Sequence, residues 1–581
     1  MASTTALFTA LSGLTANSRN LEVIGNNIAN VNTTAFKSNR MLFAPTFNRS
    51  FSLGTAPSSS SGGTNPGQVG LGVTIAGTQR NFNNGAINVT GISTDLAIEG
   101  DGFFIVEQNG EQFFTRAGAF QTNSQNELIT LSGARVQGFG IDEDFNVVSG
   151  RLESISVPLG TLTLAEATEN VTFSGNLNAD SDVAVNGSIF TFAALTAGGA
   201  PITTATLLTA LDPAGTFAVD DVITISGASR GGKNVPDASF TVGAASTVQD
   251  FLEFLQEALG VVPDGGFTAG DPTGAPEPGS FSVDAAGVIT FVGNFGELND
   301  LDLDVSDFSV VDSAGASKAN PFVPTKTQAA DGESVRTTFT VYDSLGTALN
   351  IDLTMVLAFK DDNGTYWRSF LHSSDDSDLA LHLETGDRTG TYSDAVPLLQ
   401  FDNFGSLVSS PTVSVEVDRD NSGALSPLSV TLTFDSDSDA VTALSDTGGS
   451  SAIAAVFQDG SPIGILSSFS VGNDGIITGG FTNGLTRTIG QIALATFTNP
   501  AGLVDAGNNL FRIGPNSGTA LVTSPLEFGT GRVVGGALEL SNVDLSQEFI
   551  NMILTTTGYS ASARVITTTN ELIQQLLLLG R

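Results

Sequence analysis

The sequence predicts a mainly β, multidomain chain with terminal α-helices, the β-rich outer domains nested between an N-terminal and a C-terminal helix. Three observations predict it. Apolar residues recur at helical spacing at both extreme ends of the chain. The runs between them are short, β-branched or aromatic, and bounded by Gly and Asn. At 581 residues with 40% hydrophobic content, the chain is long enough to bury several cores.

At the N-terminus, Leu7, Leu14, Leu21 and Ile28 repeat every seven residues, with Leu11, Ile24 and Val31 in the intervening positions. This is the apolar stripe of one helix, and Thr15, Ser18, Asn20, Asn26 and Asn27 lie opposite it. At the other end, Ile550, Leu554, Ala561, Val565, Leu572 and Leu579 form a similar stripe, broadened by Ile553, Ile573 and Leu576. Two narrow stripes of this period pair as a coiled coil, so the ends are expected to meet. Such a stripe is ordinarily the core face of a globular domain. Here both lie where chains usually fray, on helices rich in Asn, Thr and Ser, which are poor helix formers. Helices of this kind are marginal alone and are expected to order against neighbouring chains.

Residues 38–70 lose periodicity and, being rich in Gly, Ser, Pro and Asn, read as an irregular linker. Short strands begin at Leu71. The clearest hairpin is FFIVEQNGEQFFTR, whose Asn109-Gly110 suits a tight turn with two positive φ angles. This first β region ends near residues 173–180. Further strands follow from 181 to 330, interrupted by one helix, VQDFLEFLQEAL, with Ser246-Thr247 before it and Gly260 as its stop. Residues 263–280 read as a turn-rich loop. Another β domain starts at Val335, with turns at YDSLG and Asp-Asn-Gly, and the chain then returns toward the first β region.

Sixty acidic residues against 22 basic ones leave a formal net charge of −38. That opposes binding to nucleic acid or to an anionic membrane surface. No run approaches the length of a membrane span, so no membrane insertion is expected. Without cysteine there are neither disulfides nor thiolate metal sites. No basic n-region or continuous apolar h-region marks a signal peptide.

Chemistry-bearing motifs are sparse. His372 and His382 read as packing or surface residues rather than ligands. No nucleophile elbow or phosphate loop stands in the sequence. Asp418–Gly423 (DRDNSG) opens like a calcium loop, but Ser429 occupies position 12 where the bidentate Glu belongs, so it reads as a turn. The clusters Asp375, Asp376, Asp378 and Asp435, Asp437, Asp439 read equally as weak cation attractors and as solvated loop charges. No catalytic, cofactor-binding or metal-binding residue is assigned, and no enzyme activity or cofactor is expected.

Several long motifs resemble one family. ALSGLTANSRNLEVIGNNIANVNTTAFKSNR (10–40) and EFINMILTTTGYSASARVITTTNELIQQLLLLGR (548–581) resemble the terminal signatures of flagellar axial proteins, the rod and hook subunits. GDGFFIV with FTRAGAF is similar to a segment shared by hook and distal rod proteins, and residues 483–511 and 538–553 resemble the hook branch most. One departure is Thr556-Thr557, where the family has Gln-Arg before Gly-Tyr.

The resemblance implies a structural subunit of the bacterial flagellum that polymerises into a curved, flexible tube, with a distal rod subunit and a secreted β-rich adhesin as the rival readings. It implies self-association, with distal rod protein, hook cap, hook–filament junction proteins and the flagellar export apparatus as partners. It also implies an extracellular location reached without a cleaved signal peptide. The expected layout is a helical core (1–36 with 547–581), a linker ordered on assembly (37–70 with 515–546) and an inner β domain (71–175 with 475–514). Outside these come an inserted outermost domain (176–330) and an outer β domain (331–474). The assembly residues expected are Leu7, Leu11, Leu14, Leu21, Ile24, Ile28, Ile550, Leu554, Val565, Leu572, Leu576 and Leu579.

Overall fold

The computed structural model describes residues 2–142, 144–262, 279–377, 384–385, 398–435, 440–446 and 449–579. Its α-helices are α1 (Ala2–Ala29), α2 (Val248–Leu259) and α3 (Leu545–Leu579), and most of the rest is β-strand. The chain is thus mainly β with a helix at each end. It divides into two compact units: 1–163 with 465–581, and 164–464.

In the first unit, a sheet runs in the order Ile476–Phe481, Thr486–Ile492, Arg135–Ile141, Phe103–Gln108, Glu111–Thr115, Leu510–Arg512. Its centre is the Asn109-Gly110 hairpin, where both turn residues have positive φ (54° and 81°), the geometry a tight type I′ turn needs. One face buries Phe103, Phe114, Phe497 and Phe511. Phe114 and Phe497 meet edge to face at 4.8 Å, the arrangement their ring quadrupoles favour. Two short ladders tie the C-terminal return into this unit. Arg532–Gly535 pairs with Leu96–Glu99, and Ala537–Glu539 pairs with Ile87–Val89.

Two strand placements differ from the sequence reading. The stretch read as an irregular linker is mostly a long antiparallel hairpin: Asn39–Pro45 pairs with Val73–Arg80, and Asn48–Ser52 with Gly67–Gly70. Its strands are largely solvent-exposed, so no alternation of apolar and polar residues marks them. Asn170–Asn176, which the pattern grouped with the first β region, belongs to the second unit. It runs parallel to Leu428–Thr433 and antiparallel to Ala452–Gln458. Such partners lie far off in sequence and leave no local signal.

Among the described residues, the second unit holds two large cores. In one, the sheet containing Asn170–Asn176 and the sheet Ser334–Tyr342, Ala348–Asp361, Gly364–His372, Leu398–Phe401 bury Phe173, Phe339, Trp367 and Phe434. In the other, α2 packs Phe251, Leu252 and Leu255 against Phe190, Phe291 and Phe322, with the Phe251 and Phe322 rings stacked at 4.2 Å. α2 begins and ends as its sequence dictates. Thr247 accepts a hydrogen bond from Asp250 N, Thr247 N donates to the Asp250 carboxylate, and Gly260 closes the helix at φ 64°. The loop expected at 263–280 lies outside the described residues as far as 278.

Candidate assembly site at the paired terminal helices

The terminal helices do meet, and they run antiparallel. Asn27 Nδ2 donates to Glu548 Oε1 at 2.9 Å, and Asn20 Nδ2 donates to Thr555 Oγ1 at 2.9 Å. Further along, a Cβ on Gly558 would stand 3.1 Å from Asn17 Nδ2, and one on Gly13 would stand 3.1 Å from Ser562 Oγ. The closest approach therefore falls on Gly, Ser, Thr and Asn, because small side chains let the backbones come near. Among the described side chains of the two helices, Ala10, Ala16, Ile24, Asn27, Thr555 and Thr569 are buried.

This corrects the expectation that the two leucine stripes pair with each other. Of the expected residues whose side chains are described, only Ile24 is buried, at 3% exposure. Leu7, Leu14, Leu21 and Ile28 are half-buried. Leu11 (51%), Ile550, Leu554 (66%), Val565 and Leu572 (58%) face outward, joined by Phe8 and Ile553. The side chains of Leu576 and Leu579 lie outside the described residues. Heptad reading finds the apolar positions but not which face the intramolecular partner takes. The small residues win that contact because they allow a shorter interaxial distance. Beside the seam lies a cleft of 670 Å³ lined mainly by Ala6, Ala10, Phe51, Val69, Leu71 and Val565.

At the base of the helix pair sits a buried charge cluster that the sequence reading missed. Lys37 Nζ is 2.7 Å from Glu539 Oε1 and also donates to Asn83 O at 2.9 Å. Gly85 N donates to the same carboxylate oxygen at 2.8 Å. Arg116 Nη1 lies 3.8 Å from Glu539 Oε2, while Nη2 donates to Gly100 O at 2.8 Å. All three side chains are essentially inaccessible to water. Burial pushes the Lys37 ammonium and the Arg116 guanidinium below their ordinary pKa values, against the pull of Glu539. Asn542 completes the junction: its Oδ1 accepts from Ser38 N, and its Nδ2 donates to Asn81 O and Asn83 O. The only signal in sequence was Arg116, the single charge of the FTRAGAF segment.

The polar residues singled out from sequence have structural uses. His372 Nε2 lies 2.6 Å from Gly260 O at the end of α2. Asp418 Oδ1 accepts from Asp420 N at 2.8 Å and from Ser426 Oγ at 2.7 Å, so the DRDNSG segment is a turn. His382, Asp378, Asp437 and Asp439 lie outside the described residues. Among the described residues, no group of three or more acidic or histidine side chains is placed to hold a metal ion.

Known proteins match this sequence. Residues 7–37 match the flagella basal body rod protein family, and 97–179 the flagellar hook protein FlgE/F/G D1 domain. Residues 311–461 match the flagellar basal body protein FlaE D2 domain, and 534–579 the flagellar basal body rod FlgEFG protein C-terminal family. Lys37, Arg116 and Glu539 fall one in each of three of these segments. The flagellar hook protein FlgE of Treponema pallidum is 28% identical over 99% of both chains, and that of Borreliella burgdorferi 27% over 99% of both. The Salmonella typhimurium counterpart is 26% identical over 98% of both. Among solved structures, the Helicobacter pylori flagellar hook protein FlgE2 aligns over 78% of this chain and 100% of its own, at 17% identity and TM-score 0.37. The matched segments, carried on paired terminal helices and β units, define a subunit of a flagellar axial structure. The chain belongs to the flagellar hook protein family.

Proposed function

We infer that the chain is a structural subunit of the bacterial flagellar hook, polymerising into a curved tube that bends while it transmits torque from rod to filament. The observation that carries this is the division of the helix surfaces: a small-residue seam holds α1 to α3 and leaves much of the apolar stripe, above all on α3, exposed. Seven partly exposed side chains (Phe8, Leu11, Ile550, Ile553, Leu554, Val565, Leu572) remain to be covered. Covering the exposed half of each is worth roughly 1 kcal/mol per side chain, on the order of 7 kcal/mol in all. Association costs about 4–15 kcal/mol, a range that contains this gain, so pairing with one neighbour through this stripe is marginal and contacts with several at once secure it. A helical tube supplies several.

In this reading Leu7, Leu11, Leu14, Leu21, Ile24, Ile28, Ile550, Leu554, Val565, Leu572, Leu576 and Leu579 serve assembly. The expected division into a helical core, an inner β domain and inserted outer β domains goes with this reading, with Asn170–Asn176 moved to the second unit and the hairpin of 37–70 and the ladders of 515–546 already formed in the single chain. The role is mechanical and non-enzymatic. The distal rod protein, hook cap, junction proteins and export apparatus are the partners that follow from family membership. An extracellular location reached without a cleaved signal peptide follows too. The distal-rod and adhesin readings are disfavoured by hook-protein relatives that align along nearly the whole chain.

Negative-stain electron microscopy of the full-length chain, beside one lacking residues 1–35 and 547–581, tests the reading. Curved tubes from the full-length chain alone support it. Straight rods would favour a rod subunit.

A further inference from the structure

The turn at residues 524–531 contains two bulky residues in the left-handed region, Leu526 at φ 69° and Phe528 at φ 48°. For an L-residue this conformation crowds Cβ against the following carbonyl, and Gly, Asn and Asp are the residues that adopt it readily. Most other described non-glycine residues at positive φ obey that rule: Asn109, Asn126, Asp220, Asn421, Asn508 and Asn509. Leu526 and Phe528 do not, and packing within the chain offers no compensation. Leu526 is 59% exposed and Phe528 80% exposed.

The backbone is nevertheless firmly held. Thr530 Oγ1 donates to Ser524 O at 3.0 Å and Glu527 O at 2.7 Å, and Thr530 N donates to Glu527 O at 2.9 Å. Leu526 N donates to Gly531 O at 3.3 Å, and Gly531 N donates to Asp101 O at 2.7 Å. Ser524 Oγ donates to Gln491 Oε1 at 3.2 Å. A strained backbone over-determined by hydrogen bonds, presenting apolar side chains to water, is the pattern expected of a preorganised contact.

We propose that Leu526 and Phe528 form a rigid apolar knob that docks on a second copy of this chain. The proposal rests on the reading of the chain as a hook subunit and names a contact of the β layer that the helix stripe does not include. Charge favours a second copy meeting it here. Each chain carries a net charge of −38, so copies repel except where uncharged surface meets. The turn's one acidic side chain, Glu527, is exposed, and its carboxylate is tied to the turn by a hydrogen bond from Thr523 Oγ1 at 3.2 Å. Continuity favours it too: the turn leads through Arg532–Gly535 and Ala537–Glu539 straight into α3, so the knob is built on the strands that anchor the helix pair. A knob meeting a different surface on the next copy is a heterologous contact, the kind that propagates a helical polymer.

The test uses the full-length chain and two double variants, Leu526→Gly/Phe528→Gly and Leu526→Asn/Phe528→Asn. Both relieve the left-handed backbone, and both remove the apolar contact. Two quantities are read: the urea midpoint of the monomer by hydrogen exchange of the Leu96–Glu99 ladder, and the protein left soluble after polymer is pelleted from ammonium sulfate, which strengthens apolar burial. The expected result has opposite signs: a midpoint equal to or above wild type, with a soluble concentration raised about tenfold or more. Wild-type polymer with an unchanged soluble concentration in both variants overturns the knob and leaves the hook reading intact. Wild type that never pellets overturns both. A lowered midpoint in both variants also overturns the knob, because the side chains then serve the monomer's own fold.

Discussion

Lys37 Nζ lies 2.7 Å from Glu539 Oε1, across 502 positions of sequence and out of reach of water. Closing so long a loop costs on the order of 5 kcal/mol in chain entropy, more than one ion pair supplies. The ladders formed by Arg532–Gly535 and Ala537–Glu539 bring the ends together, and the charge cluster locks them. Glu539 neutralises two buried cations at once.

Glu539→Gln should therefore destabilise the first unit by about 3–5 kcal/mol, since Lys37 and Arg116 stay buried without a counter-charge. Hydrogen exchange of the Leu96–Glu99 ladder in urea measures it. A cost below about 1 kcal/mol would mean that the cluster opens to water and is not structural.

Leu572→Asp should abolish tubes and change monomer stability by less than about 0.5 kcal/mol, because the residue is 58% exposed in the single chain. Leu14→Asp should also block polymerisation, with some loss of monomer stability because Leu14 is half-buried. In both, the β units should stay folded. Sedimentation alongside circular dichroism reads assembly and folding separately, and tubes from either variant would remove the helix stripe from the assembly site.

The seam between the helices can be probed by size. Gly558→Ala should be tolerated, since Asn17 needs to yield only slightly and Ala gains about 1 kcal/mol of helix propensity. Gly558→Leu should force the helices apart. Faster hydrogen exchange across α3 and loss of tubes are the expected signs; unchanged exchange would place the closest approach elsewhere.

Acid should weaken the second unit in a defined window. Burial raises the Asp343 carboxyl's pKa, but the N–H groups of Thr347 (2.8 Å) and Leu345 (2.9 Å), with Arg419 at 3.2 Å, outweigh that and hold it below 3.8. The unfolded chain then binds more protons, so this stabilisation is present above about pH 3.8 and is lost as pH falls through the folded value. Trp367, the chain's one tryptophan, lies in this unit's core and reports its unfolding. The urea midpoint should fall as pH drops below about 3.8, and Asp343→Asn should flatten part of that slope. An identical slope in the variant would assign the acid sensitivity to other carboxylates.

Local chemistry made some elements legible in advance. Thr247, Asp250 and Gly260 bound α2 because capping groups and a left-handed stop act within a few residues. Asn109-Gly110 turns its hairpin for the same reason. The hairpin Asn39–Pro45/Val73–Arg80 was missed because exposed strands need no alternation, and Asn170–Asn176 was misplaced because its partners are distant in sequence.

By itself, the sequence determined the helical ends, the β class of everything between them and the identity of the apolar stripe, since periodicity and turn chemistry are properties of neighbouring residues. Only the tertiary structure decided which face of each helix the intramolecular partner covers. It also decided that Lys37, Arg116 and Glu539 meet, and that Leu526 and Phe528 are held outward against their backbone preference. Those outcomes depend on how closely distant backbones approach and on which groups lose water together, and neither is written in any local window of the chain.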